Sequence, residues 1–254
     1  MRVSNSLTEW KQRREALAGT IGFVPTMGAL HRGHASLVER CLSENDTAVV
    51  SIFVNPTQFN DATDFARYPR SMNADLDLLE CLGVHEVLAP EVAELYPSGL
   101  RFRVEEPVEE NALSSLMEGR HRPGFFTGVL TVVLKLLNLV RAERAYFGEK
   151  DYQQLQLITQ MARDLFIPTQ IFGCPTVRES SGLAESSRNA LLSPAARGKA
   201  ACLSRALAEA RSAEEANQWL EAEGFAVDYV EEHWGRRFGA VHLEGVRLID
   251  NVPL

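Results

Sequence analysis

The sequence predicts an α/β chain, a parallel sheet flanked by helices, with a smaller α+β domain at the C-terminal end. Three observations carry this. Residues 20–42 run from an apolar strand through a glycine-bearing turn into helical spacing, and Thr47-Ala-Val-Val-Ser-Ile-Phe-Val54 follows as a near-continuous apolar run. Such a run suits a strand buried on both faces of a parallel sheet, and the whole has the length of a right-handed βαβ unit. The same order of strand, glycine and polar helix start returns at 144–154. After Ser193-Pro194 the pattern changes to Ala-rich helices and then alternating strands, which reads as α+β.

Composition narrows the function. With 254 residues, 45% of them hydrophobic, the chain can bury one large core or two modest ones. A net charge of −8 excludes a general nucleic-acid binder. The start, Met1 to Lys11, lacks an apolar h-region, so no signal peptide is expected. The most apolar stretch, Val129 to Val140, contains Lys135 and is too short to span a bilayer. Cys41, Cys81, Cys174 and Cys202 are widely scattered, as reduced thiols in a cytoplasmic protein would be.

Taken in order, Thr8 to Ala18 reads as a short helix. Ile21, Phe23 and Val24 form the first strand, which Pro25 should end because it cannot donate to a ladder. Gly28 and Gly33 permit a tight turn, and from His34 the positions Leu37, Val38, Cys41 and Leu42 repeat at helical spacing. Asn55 to Asp61 is an Asn-Pro turn, Asp61 to Arg70 a polar loop, Asn73 to Leu82 a helix and Glu86 to Ala89 a strand. Tyr96 to Glu110 has weak strand character, and Leu113 to Gly128 reads as a Gly/Pro-rich loop whose Arg120, His121 and Arg122 form either a solvated basic cluster or a phosphate contact. Val129 to Val140 is apolar almost all round and is expected to be a buried helix. Arg144 to Gly148 is a strand, Glu149 opens a helix to about Leu165, and Thr169 to Cys174 is a strand. Pro175 to Asn189, rich in Ser and Gly, reads as a mobile loop or linker. Ala195 to Ala213 and Ala213 to Glu223 are helices; Phe225 to His233 is a strand, and Ala240 to Val252 gives one or two more.

A strand that feeds a turn and then a helix start aims unpaired N–H groups at one point, where phosphate is welcome. His31 and His34 sit there, three residues apart. Near a helix N-terminus an imidazole tends to stay neutral yet can still donate to developing negative charge, which suits attack on an α-phosphate. Helix capping and half of a zinc site are the other readings of the same pair. Gln58, just past the second strand, can hold a hydroxy acid or merely belong to its turn. Lys150 suits phosphate, and Asp151 suits a helix start or a magnesium ion.

Pro25-Thr-Met-Gly-Ala-Leu-His-Arg-Gly-His34 resembles the signature of the pantoate–β-alanine ligases, a version of the His-x-Gly-His motif of the nucleotidyltransferases. Asn55-Pro-Thr-Gln-Phe59, Phe147-Gly-Glu-Lys-Asp-Tyr-Gln-Gln154 and the 175–189 loop follow in family order, so the likeness covers nearly the whole chain. It implies a Rossmann-like nucleotide- and pantoate-binding domain at 1–176, a small α+β lid domain at 177–254 and a homodimer. It implies ATP-dependent, AMP-forming condensation of (R)-pantoate with β-alanine through pantoyl adenylate, with Mg²⁺. ATP contacts carry over to Met27, Gly28, Ala29, Leu30, His31, Arg32, Gly33, His34, Gly148, Glu149, Lys150, Asp151, Val177, Glu185, Ser186, Ser187 and Arg188. Pantoate contacts carry over to Pro25, Thr26, Met27, Gln58 and Gln154, and Gln58 also serves β-alanine. His31, His34, Lys150 and Arg188 are the implied catalytic groups, and Asp151 the implied metal ligand. The sequence departs from the family at Glu185, usually Met, and at Phe125, commonly His. A nucleotidyltransferase that stops at a nucleotide product, or a binding relative without turnover, are the rival functions.

Overall fold

The computed structural model describes residues 1–60, 62–107 and 112–254. Two compact units divide them: Met1–Gly148 with Gln153–Cys174, and Glu149–Tyr152 with Pro175–Leu254. The short segment Glu149–Tyr152 therefore belongs with the C-terminal unit, although the chain on both sides of it does not.

In the N-terminal unit the elements are β1 (Arg2–Ser4), α1 (Leu7–Ala16), β2 (Ile21–Thr26), α2 (Arg32–Glu44), β3 (Thr47–Ile52), α3 (Ala62–Arg67), α4 (Met72–Leu82), β4 (Glu86–Leu88) and α5 (Val92–Leu95). Then come α6 (Met117–His121), α7 (Phe125–Val140), β5 (Arg144–Gly148), α8 (Tyr152–Asp164) and β6 (Gln170–Cys174). The six strands form one parallel sheet in the order β1-β4-β3-β2-β5-β6. The chain winds outward from β2 to β3 and β4, then returns to the other side of β2 for β5 and β6. The strand order thus reverses between β2 and β5, and ligands of such sheets bind beyond the carboxyl ends of the strands at that point.

Core burial follows the apolar runs. Phe23, Val24, Val49 and Val50 are fully buried, and Leu37, Val38 and Cys41 of α2 pack with Val24 and Val50. Fully buried Trp10 of α1 donates its indole N–H to the Leu139 carbonyl at 2.8 Å. Buried α7 accommodates Lys135 because its ammonium donates to the Leu95 carbonyl at 2.7 Å and lies 5.0 Å from the Tyr96 ring centre.

Several expectations change. Pro25 does not end β2: the ladder with β3 continues to Thr26↔Ile52. Thr20 and Thr26 turn their carbonyls toward β3 and Ile21 toward β5. Pro25 therefore faces the β5 side, where pairing has already stopped at Phe23, and its missing N–H disturbs nothing. Residues 62–67 are helix α3 rather than loop, and residues 117–121 form α6. The weak strand expected from Tyr96 shows no ladder among its described residues; Asp61 and residues 108–110 lie outside them.

The C-terminal unit holds α9 (Pro194–Ala200), α10 (Cys202–Glu209), α11 (Ala213–Ala222), β7 (Ala226–His233), β8 (Arg236–Leu243) and β9 (Val246–Pro253). The single long helix expected from Ala195 is two, α9 and α10, meeting at Ala201. The three strands make an antiparallel meander, β7-β8-β9. Its turns, Trp234-Gly235 and Glu244-Gly245, have positive φ at both central residues, as tight hairpins require. The meander packs Val241, Leu243, Val246 and Leu248 against Leu203, Leu207 and Leu220. Among the described residues no helix is long and apolar enough to cross a membrane.

Candidate active site

The turn after β2 is built around a buried carboxylate. Gly28 and Ala29 both take left-handed backbone, at φ 76° and 49°. Asp75 of α4, 3% exposed, accepts the Ala29 N–H on Oδ2 at 2.9 Å and the Leu30 N–H on Oδ1 at 2.8 Å. The Ser71 hydroxyl donates to the same Oδ1 at 3.1 Å. A Cβ at position 28 would come within 2.9 Å of that carboxylate, so glycine is required for space as well as for φ. The Gly28 N–H donates to Thr26 Oγ1, and that hydroxyl donates to the Ser51 carbonyl of β3 at 2.7 Å.

This turn delivers the two histidines to the start of α2. His31 is the N-cap: its Nδ1 accepts the Gly33 N–H at 3.1 Å. His34 Nδ1 accepts the His31 N–H at 3.4 Å, completing a capping box made of imidazoles. The rings lie 4.1 Å apart between centroids. A ring that accepts at Nδ1 carries its remaining proton on Nε2. Capping and chemistry are therefore compatible: one nitrogen of each ring fastens the helix and the other is an N–H donor. Among the described residues no group of three or more His, Cys, Asp or Glu is placed to hold a metal, so the pair does not belong to a zinc cluster there.

Past β3, Asn55 organises the next segment. It is 1% exposed and donates to Gln58 Oε1 at 3.0 Å and to the Gly128 carbonyl at 3.2 Å. Its own Oδ1 accepts from the Thr57 and Tyr96 hydroxyls, both at 2.9 Å. Gln58, in a 3-10 turn, points its Nε2 at Met27 Sδ, 3.0 Å away. Its carbonyl accepts from Arg122 at 3.2 Å. Arg122 is thus not part of a solvated basic loop: it braces the Gln58 backbone, and its guanidinium carbon sits 3.7 Å from the Phe125 ring centre. Phe125 supports that arginine through its ring face. Of the paired glutamines, Gln153 is buried structure: it accepts from the Glu118 N–H and donates to the Leu113 and Leu116 carbonyls. Gln154 is half-buried and takes no part in that clamp.

In the C-terminal unit, Glu149–Asp151 form a 3-10 turn rather than the α-helix start expected, and Lys150 and Asp151 are half-buried. The Asn251 amide of β9 donates to the Glu149 carbonyl at 2.9 Å and the Lys150 carbonyl at 2.8 Å. The Ser/Gly segment after β6 is a folded hairpin, not a linker. Arg178 bridges antiparallel to Ala184; the Glu185 N–H donates to the Val177 carbonyl, and the Glu179 N–H to the Leu183 carbonyl. Arg178 clamps Asp250 through both guanidinium arms, at 2.6 and 3.0 Å. Ser186 Oγ caps a second 3-10 turn, accepting the Arg188 N–H. Hydrogen bonds donated to the Glu179 carboxylate, with a contribution from the charge of Glu185, hold the Arg197 guanidinium above its ordinary pKa.

Comparison with known proteins then decides the family. A family model described as pantoate-beta-alanine ligase matches residues 1–253. The chain belongs to the pantoate-beta-alanine ligase family. Pantothenate synthetases of Bdellovibrio bacteriovorus and Legionella pneumophila are 48% identical over 252 residues and 49% over 256, with at least 99% of each chain covered. A Francisella tularensis pantoate-beta-alanine ligase, solved in complex with beta-gamma ATP and beta-alanine, superposes with TM-score 0.95 at 41% identity, covering 100% of this chain and 97% of that one. The Thermus thermophilus pantothenate synthetase gives 0.92 at 44%, covering 100% and 99%. As a pantoate-beta-alanine ligase, the protein condenses pantoate with β-alanine at the expense of ATP.

Nothing in the sequence assigns a role to Asp75, Asp250 or Asn251, and Asn55 reads there only as part of the Asn55–Phe59 turn. Each is polar and at most 4% exposed. The only sequence signal is indirect, since turns built on left-handed residues leave amides that something must accept.

Proposed function

We propose that the reaction runs in two steps. The carboxylate oxygen of (R)-pantoate attacks the α-phosphorus of ATP; the new P–O bond forms as the bond to the β-phosphate oxygen breaks, and pyrophosphate leaves. The β-alanine amine then attacks the acyl carbon of pantoyl adenylate, loses a proton, and AMP departs with the acyl–oxygen bond pair. Adenylation is needed because a carboxylate is a poor acyl donor.

His31 and His34 donate from Nε2 to the phosphate oxygens on which charge develops. The fastening of each Nδ1 to backbone N–H is the observation that carries this reading, because it fixes which nitrogen holds the proton. The backbone of Met27 to His34 cradles the nucleotide, with Pro25, Thr26 and Met27 lining the pantoate side. Gln58 and Gln154 orient pantoate, and Gln58 also meets β-alanine. Gly148, Glu149, Lys150, Asp151, Val177, Glu185, Ser186, Ser187 and Arg188 contact ATP, with Lys150 and Arg188 as the phosphate cations. Glu185 brings a second carboxylate within the field of the Arg197 guanidinium, which Glu179 already holds.

Mg²⁺ accompanies the nucleotide. A single half-buried carboxylate, Asp151, fits an ion that arrives with its phosphates and keeps most of its waters better than it fits an all-protein cage. When bound, the ion neutralises phosphate charge. The protein works in the cytoplasm as a homodimer.

The test is AMP release from the purified protein with Mg·ATP and (R)-pantoate, with and without β-alanine. The expected result is AMP and pantothenate only when both acids are present, and pantoate-dependent ATP–pyrophosphate exchange without β-alanine. The His34→Ala protein should lose exchange by on the order of 10²-fold. Exchange at the wild-type rate in that variant removes His34 from the adenylation step.

A further inference from the structure

We infer that Asn251 is a positioning residue for the triphosphate, holding the Lys150 turn and the 177–189 hairpin in one fixed relation. The side chain is 1% exposed and every one of its polar atoms is used. Its Nδ2 donates to two successive carbonyls, Glu149 at 2.9 Å and Lys150 at 2.8 Å, which fixes both peptide planes at the root of the Lys150 side chain. Its Oδ1 accepts from Arg236 Nε at 2.6 Å, which orients the amide so that Nδ2 faces those carbonyls. Its main-chain carbonyl accepts from Arg178 at 3.3 Å, and its main-chain N–H donates to Asp250 Oδ1 at 2.8 Å.

Arg178 is the other end of the device. It sits inside the hairpin, between Val177 and the Gly182 bend, and donates to the Gly182 carbonyl at 3.1 Å while it clamps Asp250. The hairpin continues through Glu185 into the capped turn at Ser186 that presents Arg188. Two adjacent residues of β9 therefore anchor both segments proposed to carry phosphate cations. Buried groups so fully bonded have one arrangement rather than several. The inference rests on the reading that Lys150 and Arg188 hold ATP.

Asn251→Asp tests it. The replacement keeps the shape and the Arg236 partner but turns an acceptor on the two carbonyls. The expected result is a KM for ATP raised about tenfold, the equivalent of one lost hydrogen bond, with KM for pantoate and for β-alanine unchanged. Lys150→Ala alone should weaken ATP, and the double variant should be no worse than Lys150→Ala. Should Asn251→Asp fail to fold, as its melting curve would reveal, Asp250→Asn loosens Arg178 from the same strand and is expected to give the same ATP-selective change. An equal rise in all three KM values, or additive losses in the double variant, overturns the positioning role. A Lys150→Ala protein with wild-type affinity for ATP overturns instead the phosphate reading on which it rests.

Discussion

Removing the Asp75 carboxylate should loosen the turn that carries both histidines. Asp75→Ala deletes the acceptor of three hydrogen bonds, from the Ala29 and Leu30 N–H groups and the Ser71 hydroxyl. Hydrogen bonds to a charged group contribute roughly 1.5–3 kcal/mol each. The three share one acceptor and do not add. Ala29, Leu30 and Ser71 are all half-buried, so water can reach part of what is lost. A net loss of about 3 kcal/mol is the outcome of these considerations. For a chain of this size each kcal/mol moves Tm by roughly 2–4 °C, so the transition of the N-terminal unit should fall by about 6–12 °C. Asp75→Asn keeps one acceptor and sets an NH₂ against the other N–H, and should fall by less. Thermal unfolding followed by circular dichroism and calorimetry reads both. A shift under about 2 °C for Asp75→Ala would mean that the left-handed Gly28-Ala29 turn stands without its carboxylate.

Four other outcomes are expected. Gly128→Ala drives a Cβ into the Thr57 carbonyl oxygen and to 2.8 Å from the Gln58 nitrogen, both backbone, so α7 and the Gln58 turn must separate. Stability should drop by about 1–3 kcal/mol and KM for pantoate should rise, measured by urea unfolding and initial rates. Gln58→Ala should weaken pantoate about tenfold in ATP–pyrophosphate exchange and ATP much less; equal losses would indicate a collapsed turn. Burial pushes the Cys41 thiol up from 9.0 to about 12. The folded state keeps a proton that the unfolded chain releases, so this contribution is full below about pH 9 and declines as pH rises toward 12. Cys41→Ala should flatten the alkaline limb of urea stability by about 1.4 kcal/mol per pH unit. In the native wild type, exposed Cys81 should react first with a thiol reagent at pH 8, ahead of buried Cys41, Cys174 and Cys202.

The apolar runs made most of the sheet readable. Arg144–Gly148 is a strand with the bounds its sequence suggests, and the run from Thr47 ends only two residues early, at Ile52. Such runs are local, and burial on both faces leaves few alternatives. What escaped was non-local. The three-residue β1 has no pattern of its own and exists because β4 lies beside it. The hairpin at Arg178 and Ala184 looks like a linker because its order comes from Asp250, 72 residues away. Asp75 resembles any acidic residue in a first helical turn, and its partners lie 45 and 46 residues upstream. The histidines were legible as a pair, but the sequence left capping and phosphate chemistry as rivals. Only the direction of each Nδ1 makes them one arrangement.

The discontinuity of the C-terminal unit bears on how this protein can be cut and recombined. A fragment beginning at Pro175 would retain Asn251 but not the Glu149 and Lys150 carbonyls it binds, and a fragment ending at Cys174 would retain those carbonyls without the amide. Neither piece is a clean module. Exchange of domains between homologous ligases at the junction near residue 175 should therefore succeed only when the four residues 149–152 travel with the strand that reads them, which makes this short segment part of the inheritance of a domain that begins some twenty residues later.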